Sequence, residues 1–202
     1  LHSIIMIVTI WIVARGVNKG IEFFAKWLFP IMFLLLLVLV FYAYANAYFF
    51  KGLYFLFHPN FHALSANAVL IALGHAFFTL SIAIGSMMVY GAYLPERISI
   101  GKVALCVVLI DTLVALIAGV AIFPIVFQHG LKPGAGPGLI FETLPIAFGH
   151  MALGRLMASV FFIMLTFAAI TSTISLLEPT VAWLLKITRL KRGTIAFLSG
   201  FL

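Results

Sequence analysis

An all-α bundle of membrane-crossing helices is the fold class this sequence predicts, and three observations predict it. Of its 202 residues, 65% are hydrophobic and only 8% charged, and the mean hydropathy is +1.26. A soluble domain cannot hide so much apolar surface. The apolar residues come in runs of about 20 or more between short polar links, the length that crosses a hydrocarbon core of about 30 Å. These runs are too long, and alternate too little, to be the strands of a closed barrel.

The opening run HSIIMIVTIWIVA gives a partial span at about 3–14, with no cleavable signal peptide visible. Further apolar runs give spans at about 27–48, 67–93, 103–127 and 156–185, and a partial one at 193–202. The chain starts at Leu1 without a methionine and stops within GTIAFLSGFL. It is therefore expected to be a single truncated transmembrane domain, 1–202, lacking helices of the full-length protein. Two longer links, 49–66 and 128–155, are rich in aromatic, Pro and Gly residues. Within the second, GLIFETLPIAF is expected to form a short helix packed on the bundle as a lid. The single cysteine, Cys106, lies inside an apolar run, which leaves no disulfide framework and no thiolate metal site.

Charge sets the orientation. Arg15, Lys19, Lys26, Arg97, Lys102, Lys186, Arg189, Lys191 and Arg192 fall on one side, and Lys51, Lys132 and Arg155 on the other. The side with more basic residues is cytoplasmic, so the links 15–26, 94–102 and 186–192 face inward and 49–66 and 128–155 outward. The formal net charge of +7 then records topology in a lipid bilayer and does not call for a nucleic-acid partner.

Several polar residues lie at the depth where they are most costly. Ser81 is 14 residues from Asn67 and 15 from Glu96, near the centre of its span. Thr171 and Ser172 are about midway between Arg155 and Lys186. Asp111 is nine residues from Lys102, or about 13 Å into the core at about 1.5 Å per residue. Hydroxyls alone decide nothing, because Thr and Ser in membrane helices also bond their own backbone or sit at close helix contacts, and the small face Ala168, Thr171, Ser172, Ser175 suits packing equally well. Asp111 is more demanding. A carboxylate near the centre costs about 2.5–3.5 kcal/mol on insertion scales and needs a partner or a cavity. Either it packs protonated or paired with an arginine, or it serves a bound cation or proton transfer; no basic residue of the sequence lies at matching depth.

The segment GHAFFTLSIAIGSMMVYGAYL adds Gly74, Gly85 and Gly91 to this central serine. Glycines beside midplane hydroxyls predict a discontinuous helix at about 67–93. Opened backbone is tolerated there only where it is buried or lines a cavity, and its carbonyls suit a hard cation or an ammonium group.

GHAFFTLSIAIG followed by VYGAYL, then GPGLIFETLP, then FAAITSTISLLEP resemble, in that order, the neurotransmitter:sodium symporter family, in its bacterial LeuT-like branch. The resemblance covers essentially the whole chain, from about the fourth to the ninth transmembrane helix. It implies a LeuT-type inverted-repeat fold and sodium-coupled import of a neutral amino acid or related amine by alternating access, with the missing helices completing the site. It implies two sodium sites, one involving Thr79 and Asp111 and the other Ala168, Thr171 and Ser172. It places Phe78, Thr79, Ser81, Ile84, Ser172 and Leu176 in the substrate pocket, and Tyr93 at the cytoplasmic gate.

Departures from the family pattern carry expectations of their own. Chloride-dependent members have Gln, Ser, Asn and Ser where this chain has His75, Thr79, Asp111 and Ala115; the fixed charge of Asp111 predicts chloride-independent transport. His75 is either a buried, hydrogen-bonded imidazole or a partner of Asp111 in proton counter-transport. Ile84 and Ala83 replace a pocket phenylalanine and a glycine, which changes the pocket's shape. Lys186 stands where many members have the acid that closes the cytoplasmic gate on an arginine, so Glu178 compensates or gating differs; Glu178 reads more simply as an interfacial charge near a helix end. Two rival classes stay in view: a transporter-like receptor or scaffold, and an intramembrane enzyme, for which the sequence offers no HExxH motif, second central aspartate or serine–histidine pair. The inner (plasma) membrane is the expected location.

Overall fold

The computed structural model describes residues 2–201 apart from 62, 63, 83, 132, 134 and 135, so Ala83 and Lys132 lie outside the described residues. Among the described residues all regular structure is helical. Helix α1 (His2–Ala14) is followed by a π-helical turn (Val17–Ile21) that runs into α2 (Glu22–Asn46). Short α3 (Phe49–Phe57) follows, and then α4 (Ala66–Thr79) and α5 (Ser86–Ala92), the two halves of an interrupted helix. Helix α6 (Ile100–Gln128) leads through a second π-helical turn (Leu139–Thr143) to α7 (Leu144–Gly149), and α8 (Gly154–Ile187) and α9 (Arg192–Phe201) complete the chain.

Three segments, Lys19–Asn46, Ile100–Gln128 and Gly154–Ile187, are long and apolar enough to cross a membrane. Each contains an internal proline, Pro30, Pro124 or Pro179, which membrane helices tolerate because neighbouring groups satisfy the freed carbonyl. Much of the apolar surface of α6 is exposed, Leu105, Leu109, Ile110 and Leu113 among it. In water such a surface would drive association; against hydrocarbon it costs nothing.

The chain forms two compact units. The first comprises Leu1–Ile31, Val69–Val107 and Thr166–Leu202. Its core is built by α1, α8 and α9 from Ile12, Val13, Ile174, Leu177, Val181, Ile195 and Ala196. Thr9 enters this core as a hydroxyl, and its Oγ1 is satisfied twice, by the Ile5 carbonyl at 2.9 Å and by Thr173 Oγ1 at 2.9 Å.

The second unit comprises Met32–Ala68 and Val108–Leu165. Leu36, Leu39 and Ala43 of α2 meet Ala121, Ile125 and Val126 of α6, Met157 and Phe161 of α8, and Leu144, Ala147 and Phe148 of α7. The expected short helix in the link 128–155 is thus present and packed. Tyr42, otherwise buried, donates its hydroxyl to the Ala152 carbonyl. On α3, Gly52 lies so close to α6 that an added Cβ would stand 2.5 Å from the Pro124 ring, while Phe55 packs edge-on against Phe123 and Phe127. The Gly52→Ala variant is therefore expected to lose about 1–3 kcal/mol of stability through overpacking, read as a lowered thermal midpoint of the purified protein. Gly74→Ala, where an added Cβ meets nothing within 4 Å, should not lower it.

Candidate functional site

The interruption between α4 and α5 has a defined hydrogen-bonded form. Leu80 N–H still reaches the Ala76 carbonyl at 3.1 Å, but Ser81 N–H turns to Phe78 at 3.0 Å and Ile82 N–H to Phe77 at 3.1 Å. This crossed pair is a Schellman ending, and its capping residue is left-handed. Here that residue is Ser81, with φ of 53°, where glycine would carry no steric cost; the serine costs about 1–2 kcal/mol. Gly85, with φ of 80°, then starts α5. Its N–H bonds the Ile82 carbonyl at 3.3 Å, so the Ser81 carbonyl does not receive the amide that a continuous helix would give it.

Helix α5 is held along α8 by three polar contacts. Ser86 Oγ donates to the Ser175 carbonyl at 2.8 Å, Tyr90 Oη and Ser175 Oγ share a bond of 3.0 Å, and Tyr93 Oη donates to Glu178 Oε1 at 2.9 Å. Ser86, Tyr90 and Tyr93 lie on one helical face, and Thr171, Ser175 and Glu178 repeat the same spacing on α8. The contacts advance in the same direction on both helices. Residues 80–82, 84 and 85, which precede Ser86, therefore lie toward the level of Thr171 and Ser172, which precede Ser175. A groove of about 250 Å³ in the same unit is lined by Phe24, Leu28, Tyr90, Thr171, Ile174 and Ser175, among others.

At the far end of this ladder is a buried charge pair. The Glu178 carboxylate has no exposed side-chain surface and forms an ion pair with Arg192 of α9. Arg192 also donates from Nε to the Val13 carbonyl at 2.8 Å, which accepts the Gly16 N–H at 3.0 Å as well. Glu178 is thus corrected from an interfacial charge to a fully buried acid with two partners. The apolar run around it gave no sign of this, because its arginine comes from a different helix. Lys186 is exposed.

The residues singled out from the sequence are distributed as follows. Thr79, Ala168, Thr171 and Ser172 belong to the first unit. Thr171 is half-buried, and its Oγ1 donates to the Ala168 carbonyl at 2.8 Å. Thr79, at the end of α4, is exposed and reaches the Ala76 carbonyl at 3.4 Å. Phe78, Ser172 and Leu176 are exposed, as are Ile84, His75 and Tyr93, while Ser81 is half-buried at the break. Asp111 belongs to the second unit; it is half-buried on α6 and makes no hydrogen bond or ion pair with any described residue. Sequence reasoning missed Ser86 and Tyr90, although their spacing with Tyr93 was there to be matched against the polar stripe on α8.

Apolar spans, an interrupted helix and a polar stripe on the helix beside it define a multi-pass helical membrane protein. The chain belongs to the sodium:neurotransmitter symporter family, whose profile matches residues 2–198. It is 40% identical over 199 residues to the uncharacterized sodium-dependent transporter YhdH of Bacillus subtilis, covering 98% of this chain and 44% of that protein. A sodium-dependent transporter of Haemophilus influenzae is 33% identical over 188 residues, covering 93% of this chain and 41% of its own length. The crystal structure of MhsT in complex with L-phenylalanine superposes with a TM-score of 0.84 at 41% identity, covering 98% of this chain and 45% of that one. The chain therefore spans less than half the length of the relatives it matches. These relatives are transporters and not enzymes.

Removing one member of a buried ion pair strands the other. Arg192→Ala is expected to cost about 3–5 kcal/mol, and the double change Glu178→Met with Arg192→Met to recover most of that loss, as measured by thermal unfolding of the full-length protein.

Proposed function

We propose that the protein containing this chain is a sodium-coupled symporter that imports a neutral amino acid or related amine by alternating access, without chloride. The observation that carries this reading is the interrupted helix held against the polar stripe of α8. The Ser86, Tyr90 and Tyr93 contacts hold α5 along α8, which supports a position for the opened backbone at 80–82 near the level of Thr171 and Ser172. Backbone and hydroxyl oxygens at that depth form the kind of hard, uncharged donor set that replaces water around a small monovalent cation. Thr171, Ser172 and Ala168 are the proposed ligands of one sodium, and Thr79 and Asp111 of another.

Support for the substrate class comes from the relatives. A protein of Drosophila willistoni named as a sodium-dependent nutrient amino acid transporter is 29% identical over 189 residues, and MhsT was crystallised with L-phenylalanine. Phe78, Ser81, Ile84 and Leu176 would give the pocket a mainly apolar wall, which suits a neutral side chain. Asp111, unpaired among the described residues, supplies beside sodium the negative charge that an anion would otherwise bring. Tyr93, Glu178 and Arg192 form the proposed cytoplasmic closure, with Glu178 taking the role expected of an acid at position 186. The bilayer is assigned as the inner (plasma) membrane, with the links 15–26, 94–102 and 186–192 cytoplasmic.

Uptake of a panel of amino acids into proteoliposomes holding the full-length protein tests this. Accumulation should need an inward sodium gradient and should persist when chloride is replaced by gluconate; loss of uptake in gluconate would remove the chloride claim. Asp111→Asn should raise the sodium concentration for half-maximal uptake by about tenfold, the effect of losing about 1.4 kcal/mol of interaction. An unchanged sodium dependence in that variant would remove Asp111 from the site, and binding of an amino acid without uptake would favour a receptor.

A further inference from the structure

The end of α6 and the end of α7 bring together two histidines that have no part in the site described above. His129 follows the last residue of α6, and His150 follows the last residue of α7; both belong to the second unit. Their ring centroids are 5.9 Å apart, with the planes inclined at 39°. His129 Nε2 is shielded from solvent and has no hydrogen-bond partner among the described residues, and the side-chain oxygen of the adjacent Gln128 is in the same condition. An unsatisfied buried polar atom costs about 1–3 kcal/mol. A shielded imidazole nitrogen without a partner, next to a second imidazole, asks for one.

The spacing of the rings identifies one. With an imidazole nitrogen about 1.1 Å from its ring centroid and a metal–nitrogen bond of about 2.0–2.1 Å, a metal held by two rings stands about 3.2 Å from each centroid. The centroids are then about 5.2 Å apart for a tetrahedral angle at the metal and about 6.4 Å for a linear one. The observed separation lies between these limits. We propose that His129 and His150 form a binding site for a divalent transition metal ion of the zinc or nickel class.

Imidazole binds such ions only when neutral. No group of three or more His, Cys, Asp or Glu side chains occurs among the described residues. Water therefore completes the coordination, and a metal-bound water would give the Gln128 oxygen its missing donor. A metal here ties the end of α6 to the end of α7 and so closes the link between them. On the proposed topology this end faces outward.

The test is zinc binding to the full-length purified protein, measured by competition with a chromophoric chelator and referred to the double variant H129Q/H150A. The wild-type protein should bind a single zinc above that reference, and H129Q and H150A should each weaken it at least about tenfold. H150C should restore the affinity, because a thiolate replaces the lost imidazole as ligand. Zinc affinity unchanged in H150A, or not restored in a monodisperse H150C protein, would overturn the proposal. The readout is metal binding and not uptake, so the result stands apart from whether the protein carries sodium.

Discussion

Backbone groups left open inside a membrane must find partners, and the structure depends on how α4 and α5 meet that demand. A helix that stops in hydrocarbon leaves carbonyls and amides that no water can satisfy. The Schellman ending at Ser81 settles part of the debt at the end of α4. The restart at Gly85 would still be loosely held without α8, to which Ser86, the next residue, donates a hydrogen bond. The tyrosines one and two turns further on extend the hold over the full length of α5. The opening is thus tied to α8 at the edge where α5 begins.

The same ladder ends in charge, and that changes its character. Ser86 and Tyr90 make neutral bonds worth about 0.5–1.5 kcal/mol each in net terms. Glu178 and Arg192 are different, since desolvating the pair offsets most of its attraction, and a pair of apolar residues would serve stability as well. What the pair adds is register. The carboxylate accepts from Tyr93, just after α5, and from Arg192 of α9, while the guanidinium also reaches Val13 of α1. Four helices thereby share one fixed point at the end of the ladder. An arrangement that depends on both charges being present is also one that comes apart sharply when either is lost.

Much of this fold was legible from the apolar runs, since each long run became a helix and the glycine-rich third run was the one that broke. The position of the break was legible in part, because Ser81 and Gly85, singled out together with Gly74 and Gly91, take positive φ. Less of the polar network was visible. Thr9 and Thr173, or Glu178 and Arg192, are distant in sequence or separated by a link, and hydropathy carries no information about which distant polar group will be the partner. Glu178 in particular sits before Pro179, a context equally typical of a helix end at the membrane surface. The link helices α3 and α7 were foreseen only in part: aromatic and proline-rich composition suggested packing, but the seat of Gly52 on Pro124 follows from tertiary contact alone.

Arg192 belongs to two different moments in the life of the chain. In the nascent polypeptide it is one of the free positive charges that decide which way the neighbouring helices are threaded, an effect counted on basic residues near the ends of spans and indifferent to acids. In the folded protein it is neutralised by Glu178 and largely withdrawn from solvent. Its contribution to topogenesis is therefore spent before its contribution to architecture begins, and a lysine or arginine census of the finished surface would overlook a residue that helped to set the insertion pathway.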